Sequence, residues 1–378
     1  MPGTFLCSLL LILSALPGAA FPARRHEIQF RRNDSSGIAI PSRLSAAGLS
    51  KAILRVFSDD EKKGGLYFSS GLFPVVRPAL ASWQKDYADG TVPLWAWMGA
   101  RKFAWLDDDG LRDREWTGDG SRAIAKLDLF NPQARELVVK LFVALARQGV
   151  QGILIQDDLT LLRGEGFSSW GRASFTRASG LDADPQRMLE RGSAHQSAWE
   201  NLKAARVGET LKQIVGACAA ARPGIEIGLN VHYEAPLTPE RARAWYAFDI
   251  DLANASGVDL FYLMAYHRQM KAEMKLDESG SRLYFRRMLE AALRLWGPRL
   301  AVKLQVRDWK SSEPVPLDEL KAYYDLIPAG VERVCFAAAD PEDMELVAQV
   351  IQRSEQRPDD RSQRSDDRGR MSAENAIP

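Results

Sequence analysis

Between about residue 50 and residue 351 the chain alternates short apolar runs, rich in β-branched and aromatic residues, with longer segments of helical period. This alternation constrains the fold more than any other feature, because a strand followed by a crossover helix brings the next strand in parallel to the first. The runs at 52–57, 93–98, 152–156, 225–230, 259–264, 301–306 and 333–337 read as strands. Helical period runs through 72–86, 132–148, 197–221, 237–254, 281–296, 316–326 and 341–353. Asn131-Pro132 is a favourable start for one of these helices, since proline is tolerated in the first turn. The repeated unit predicts an α/β fold, a TIM-like (β/α) barrel, irregular and of seven or eight strands. The rival is an open doubly wound sheet, which would carry a Gly-rich phosphate turn after its first strand. Here that position reads Ser58-Asp59-Asp60-Glu61, a poor host for an anionic cofactor.

The two ends read differently. Residues 5–16 form an apolar run too short to span a membrane comfortably, followed by Pro17-Gly18-Ala19-Ala20, so residues 1–20 read as a secretory signal, the alternative being an uncleaved membrane anchor. Residues 21–48 read as a linker with a basic stretch at Arg24, Arg25, Arg31 and Arg32, and 49–351 as the barrel. Residues 352–378 alternate Gln, Arg, Ser, Asp and Pro with almost no large apolar residue, the composition of a disordered tail. Signal cleavage implies a periplasmic or secreted protein with no remaining membrane span. Cys218 and Cys335 lie in apolar elements and are expected to be buried free thiols.

Composition narrows the chemistry. A formal charge of +1 gives no basic excess for neutralising phosphates, so nucleic acid is not an expected partner. Only 4 His and 3 Cys argue against a Cys-rich zinc site, so no metal and no cofactor are expected and carboxylates become the candidate chemical groups. At the strand ends, where barrels of this kind carry their chemistry, stand Asp59, Trp97, Asp157, Asp158, Asn230, His232, Tyr266, Gln305, Asp308, Trp309 and Asp340. Carboxylates transfer protons, amides hydrogen-bond hydroxyl and acetamido groups, and aromatic faces stack on sugar rings. The sharpest stretch is 151–158, Gln-Gly-Ile-Leu-Ile-Gln-Asp-Asp, with two carboxylates directly after an apolar run. If the strand stays regular, alternation puts Gln156 and Asp158 on one face, toward the barrel mouth. The pair could equally cap the following loop through backbone N–H groups. His232 and His267 are candidate proton carriers or structural residues, and Glu165 is a mobile acid or a solvated loop residue.

From about residue 52 to residue 344 the chain resembles the C-terminal hydrolase domain of the poly-β-1,6-N-acetyl-D-glucosamine N-deacetylases, glycoside hydrolase family 153. The resemblance is carried by 52–59 (Ala-Ile-Leu-Arg-Val-Phe-Ser-Asp), 66–68 (Leu-Tyr-Phe), 94–98 (Leu-Trp-Ala-Trp-Met) and 127–131 (Leu-Asp-Leu-Phe-Asn). It continues through 152–158, 244–247 (Ala-Trp-Tyr-Ala), 263–266 (Leu-Met-Ala-Tyr) and 304–309 (Leu-Gln-Val-Arg-Asp-Trp). It implies a barrel whose mouth is a groove for a partly deacetylated amino-sugar polymer. It also implies glycosidic cleavage by acids at Asp157 and Asp158, with Asn230, Tyr266, Gln305, Asp308 and Trp309 lining the groove. The chain departs from the family where Gln156 replaces a His, where Leu162-Arg163-Gly164 replaces a later acid, and where His267-Arg268-Gln269 follows the Met-Ala-Tyr strand. Fewer than fifty residues precede the first predicted strand, so the family's metal-dependent deacetylase domain and its activity are not expected.

The expected function is therefore an endo-acting glycosidase for an amino-sugar exopolysaccharide, which could also meet the machinery that exports the polymer. The alternative is a protein that binds such a glycan without cutting it, and a third reading is a hydrolase for a galactosamine-rich polymer.

Overall fold

The computed structural model describes residues 23–31, 40–87 and 92–355. The expected signal at 1–20 lies outside the described residues. Eight parallel strands close into a barrel in chain order: β1 (Arg25–Phe30), β2 (Leu49–Arg55), β3 (Leu94–Met98), β4 (Gly152–Ile155), β5 (Glu226–Val231), β6 (Leu260–Met264), β7 (Leu300–Gln305) and β8 (Arg333–Ala339). The seven predicted strands are all present. The eighth, β1, lies inside the segment expected to be a linker, so the barrel begins well before residue 49. It pairs with β2 on one side and β8 on the other. Alternation explains both its role and its concealment. Ile28 and Phe30 pack outward into the helix layer, while Glu27 and Gln29 turn inward as buried polar residues. A strand with a polar inner face shows no apolar run.

Helices cover the outside, and several begin at side-chain caps. Asn131 accepts from the Gln133 N–H before Pro132–Ala146, and Ser193 and Asp277 cap Ala194–Ala221 and Glu278–Trp296 in the same way. The last helix, Met344–Glu355, carries regular structure past residue 352, where a tail was expected to begin; the rest of that tail lies outside the described residues. No helix among the described residues is long and apolar enough to cross a membrane. Cys218 and Cys335 are buried and free, as expected.

The barrel interior is filled by side chains. Ile53, Trp95, Leu154, Leu260, Tyr262, Ala301 and Cys335 form one inner cluster. Trp95 fits because its neighbours give up volume: a Cβ on Gly152 would stand 2.2 Å from the indole, and one on Gly228 would stand 2.7 Å from the Tyr262 ring. Lower in the barrel, Lys51 and Glu27 pair at 3.0 Å, the Tyr262 hydroxyl donates to Glu27 at 2.7 Å, and the Lys51 ammonium lies 3.7 Å from the Trp95 ring centre.

Between β3 and the helix that starts at Pro132, an antiparallel hairpin, Arg112–Trp116 with Ser121–Leu127, folds over the mouth side. Arg101, fully buried, ties it down. Its guanidinium pairs with Asp113 at 2.7 Å and Glu165 at 2.8 Å, and donates to the carbonyls of Leu127 and Thr160. Burial pushes Asp113 up to about 7 against the attraction of Arg101. Burial also raises Glu165, but Arg101 and Lys126 outweigh it and hold that carboxyl at about 2. Glu165 is therefore a fixed partner of Arg101, not a mobile acid.

Two outcomes are expected. Removing residues 25–30 leaves β2 and β8 with unpaired edges, so the shortened chain should lose its cooperative unfolding transition in a circular-dichroism denaturation. Arg101→Met strands two buried carboxylates and should lower stability by about 3–5 kcal/mol in urea titrations at neutral pH.

Candidate active site

The mouth of the barrel lies at the C-terminal strand ends, and β4 delivers the acidic pair to it. Regular strand ends at Ile155 and residues 157–158 form a turn. The alternation that would aim Asp158 into the mouth therefore stops before reaching it. Asp158 instead turns back into the β3 loop, accepting from the backbone N–H groups of Ala100 and Arg101 at 2.8 Å and of Lys102 at 2.7 Å. Burial pushes its carboxyl above the ordinary value, against the lowering effect of those three donors. Both oxygens are committed, which makes Asp158 a clamp between two loops.

Asp157 is half-buried and makes no hydrogen bond or ion pair with any described residue. It shares a small hollow with Gln156, Asn230 and His232. Its charge is felt by two neighbours from the far side of the barrel. Burial first, then Asp157, raises the Tyr266 hydroxyl well above its usual range. Burial lowers Lys303 to about 8, with Asp157 acting in the opposite sense. Lys303 is 1% exposed and donates to Asn230 Oδ1 at 2.8 Å, with the Tyr266 ring centre 6.0 Å from its ammonium. Asp157, Asn230, Tyr266 and Lys303 thus form the polar centre of the mouth. Lys303 escaped the sequence analysis, although a signal existed: it has the same strand parity as Gln305 in an otherwise apolar run.

The remaining predicted residues divide. Gln305 and Trp97 come from β7 and β3, and Gln305 Oε1, Trp97 Nε1 and Gln156 Oε1 are all buried without a partner. Such atoms are expected where a ligand or water completes the hydrogen bonding. Asp59 is not free: it pairs with Arg55 at 2.9 Å and Lys102 at 2.8 Å, which outweigh its burial and lower its carboxyl. Asp308 accepts from the N–H groups of Lys310 and Ser311 and lies 3.6 Å from Arg268, while Trp309 beside it is 54% exposed on the rim. Asp340 is held by Arg31 at 2.7 Å. Of the acidic residues singled out in the sequence, Asp157 alone is unengaged.

His232 stacks on Tyr246 at 4.1 Å between ring centres, and the Tyr246 hydroxyl donates to Glu234 Oε1 at 3.2 Å. Glu234, buried in the turn after β5, keeps Oε2 without a partner. No motif marked it. His267 is structural: buried, stacked on Tyr323 at 4.1 Å and bonded to Glu319 at 2.8 Å. A wider cleft of ≈ 790 Å³ lies on the rim beside exposed Trp245, with Arg163 and Gln196 on its walls.

No curated protein is similar enough in sequence to match this chain. Among solved structures, the PgaB (BpsB) glycoside hydrolase domain from Bordetella bronchiseptica superposes with a TM-score of 0.71 at 19% identity, covering 87% of this chain and 99% of that one. The β-galactosidase from the psychrophilic Marinomonas ef1 gives 0.62 at 12% identity, covering 88% of this chain and 59% of its own. That of Rahnella sp. R3 gives 0.59 at 13%, with 88% and 57% covered. At these identities the likeness is one of fold, the TIM-like barrel shared by these glycosidases. The sequence itself matches a known family over residues 34–336, most of its length. The chain belongs to the family described as hypothetical glycosyl hydrolase family 13, with a barrel like that of the PgaB glycoside hydrolase domain.

Proposed function

We propose that the protein is a glycosidase that cleaves within an amino-sugar polysaccharide outside the cytoplasm, with Asp157 as the acid at the scissile bond. The observation that carries this reading is the unengaged carboxylate of Asp157 in a mouth lined by buried, unpartnered amide and indole groups. In its protonated form Asp157 gives a proton to the leaving oxygen, and its carboxylate then faces an oxocarbenium-like sugar. Glu234 is assigned the second carboxylate role, the base that takes a proton from the water adding to the anomeric carbon, since it follows the adjacent strand and keeps one oxygen free. Asn230, Gln156 and Gln305 would hydrogen-bond sugar hydroxyl and acetamido groups. Trp309 and Trp245 would offer faces to units further along the polymer. Asp158 acts one step back, holding the β3 loop against the turn that carries Asp157.

Asp157→Asn should lose reducing-end release from a partly deacetylated glucosamine polymer by about 10²-fold or more while still binding it. Asp158→Asn should instead lower the melting temperature and reduce activity in parallel. Equal activity of Asp157→Asn and the parent protein in a reducing-sugar assay would overturn the assignment. Polymer binding with no shortening, by the parent protein and across a panel that includes galactosamine-rich chains, would favour the binding-only reading.

The charge beside Asp157 depends on pH through Lys303. The folded protein releases the Lys303 proton near pH 8, whereas the unfolded chain keeps it to about 10.5. Unfolding therefore takes up a proton in that window, and this residue's contribution to stability rises with pH between those values. Lys303→Met should remove about 3 kcal/mol of that rise, measured as the difference between urea titrations at the two ends of the window.

A further inference from the structure

At the opposite end of the barrel from the mouth, a cleft of ≈ 520 Å³ opens among Arg25, Lys51, Arg222, Arg333, Glu27 and Glu226. The strand register makes its charges informative. Glu27 of β1 stands level with Lys51 of β2, and the two form an ion pair. One inward-facing position below, Arg25 of β1 stands level with Arg333 of β8. Residues level with each other on neighbouring parallel strands point to the same side, so two guanidinium groups share the floor. Like charges so placed repel. Neither makes a side-chain hydrogen bond or ion pair with a described residue, and Arg333 Nε and Nη1 are buried with no acceptor. Arg222, on the same cleft, spends Nη1 on the Val150 carbonyl and brings a third positive charge. Glu27 is committed to Lys51 and Tyr262, and Glu226 is exposed and forms no ion pair with a described residue.

Two guanidinium nitrogens withdrawn from water without an acceptor are costly, and a second guanidinium level with the half-buried Arg333 adds to the cost. Both penalties are relieved by one kind of ligand, an oxyanion whose two or more oxygens take the planar fork of Arg333 and bridge to Arg25. We infer that the floor of the barrel is a binding site for an oxyanion, a phosphate or carboxylate group, held by Arg333 and Arg25. The site is separate from the mouth and independent of the reaction proposed there.

The test uses the full chain, with inorganic phosphate and citrate as probes at constant ionic strength and sodium chloride as the control. Phosphate or citrate should raise the melting temperature saturably, and chloride should not. The stronger of the two probes identifies the headgroup chemistry. Arg333→Gln should weaken the apparent affinity about tenfold or more, and without oxyanion it should melt no lower than the parent protein, because it removes an unpaired charge. Arg25→Gln, an exposed position that leaves the strand intact, should weaken the response as well and serves if Arg333→Gln does not fold. No saturable response to either probe, or an unchanged response in Arg25→Gln and in folded Arg333→Gln, would overturn the inference.

Discussion

Closure of the sheet is the constraint from which the other features follow. Eight parallel strands leave no free edge only when β1 joins β2 to β8, and every second residue of each strand is then forced into a common interior. That interior is just wide enough for side chains, so Trp95 is admitted where Gly152 and Gly228 stand aside. Charged residues that share it must find partners across it. Glu27, Lys51 and Tyr262 do so near the floor, and Lys303 with Asn230 do so under the mouth.

The loops above the barrel are organised by buried charge. Arg101 reaches the hairpin through Asp113 and the β4 loop through Glu165, while its own backbone N–H is held by Asp158. The neighbouring N–H of Lys102 is held by the same carboxylate, and the Lys102 side chain pairs with Asp59. Asp59, Asp113, Asp158 and Glu165 thus stabilise loop positions. Their engagement makes the isolation of Asp157 meaningful, because a carboxylate with no structural task in a polar mouth is available for chemistry. The near-neutral net charge therefore conceals an uneven distribution, with most acids around the mouth engaged and Arg25 and Arg333 at the floor without an ion pair to a described residue.

Much of the architecture was legible from local pattern. Seven strands announced themselves because their outward and inward faces are both apolar over several residues, as in Gly152–Ile155 and Leu260–Met264. β1 did not, since Arg25, Glu27 and Gln29 face inward and interrupt the pattern; the burial of Glu27 makes sense only beside Lys51 and Tyr262, distant in sequence. The hairpin over the mouth was also hidden, because Arg112–Trp116 reads as a charged loop until Asp113 is seen against Arg101. The acidic pair at 157–158 was legible as a pair, but the direction of Asp158 was not, since it turns back to the backbone of residues 100–102. Alternation assigns directions only while the strand lasts, and this one ends at Ile155.

The sequence by itself determined the class of fold, the end of the barrel where the candidate residues gather, and the residue types available there. Those follow from periodicity and from composition, which are local properties of the chain. Only the tertiary structure decided which carboxylate is unengaged by the described residues, which lysine stands near it, and where two arginines meet with no ion pair to a described residue. These depend on distances between residues from different strands, and such distances arise only when the barrel closes.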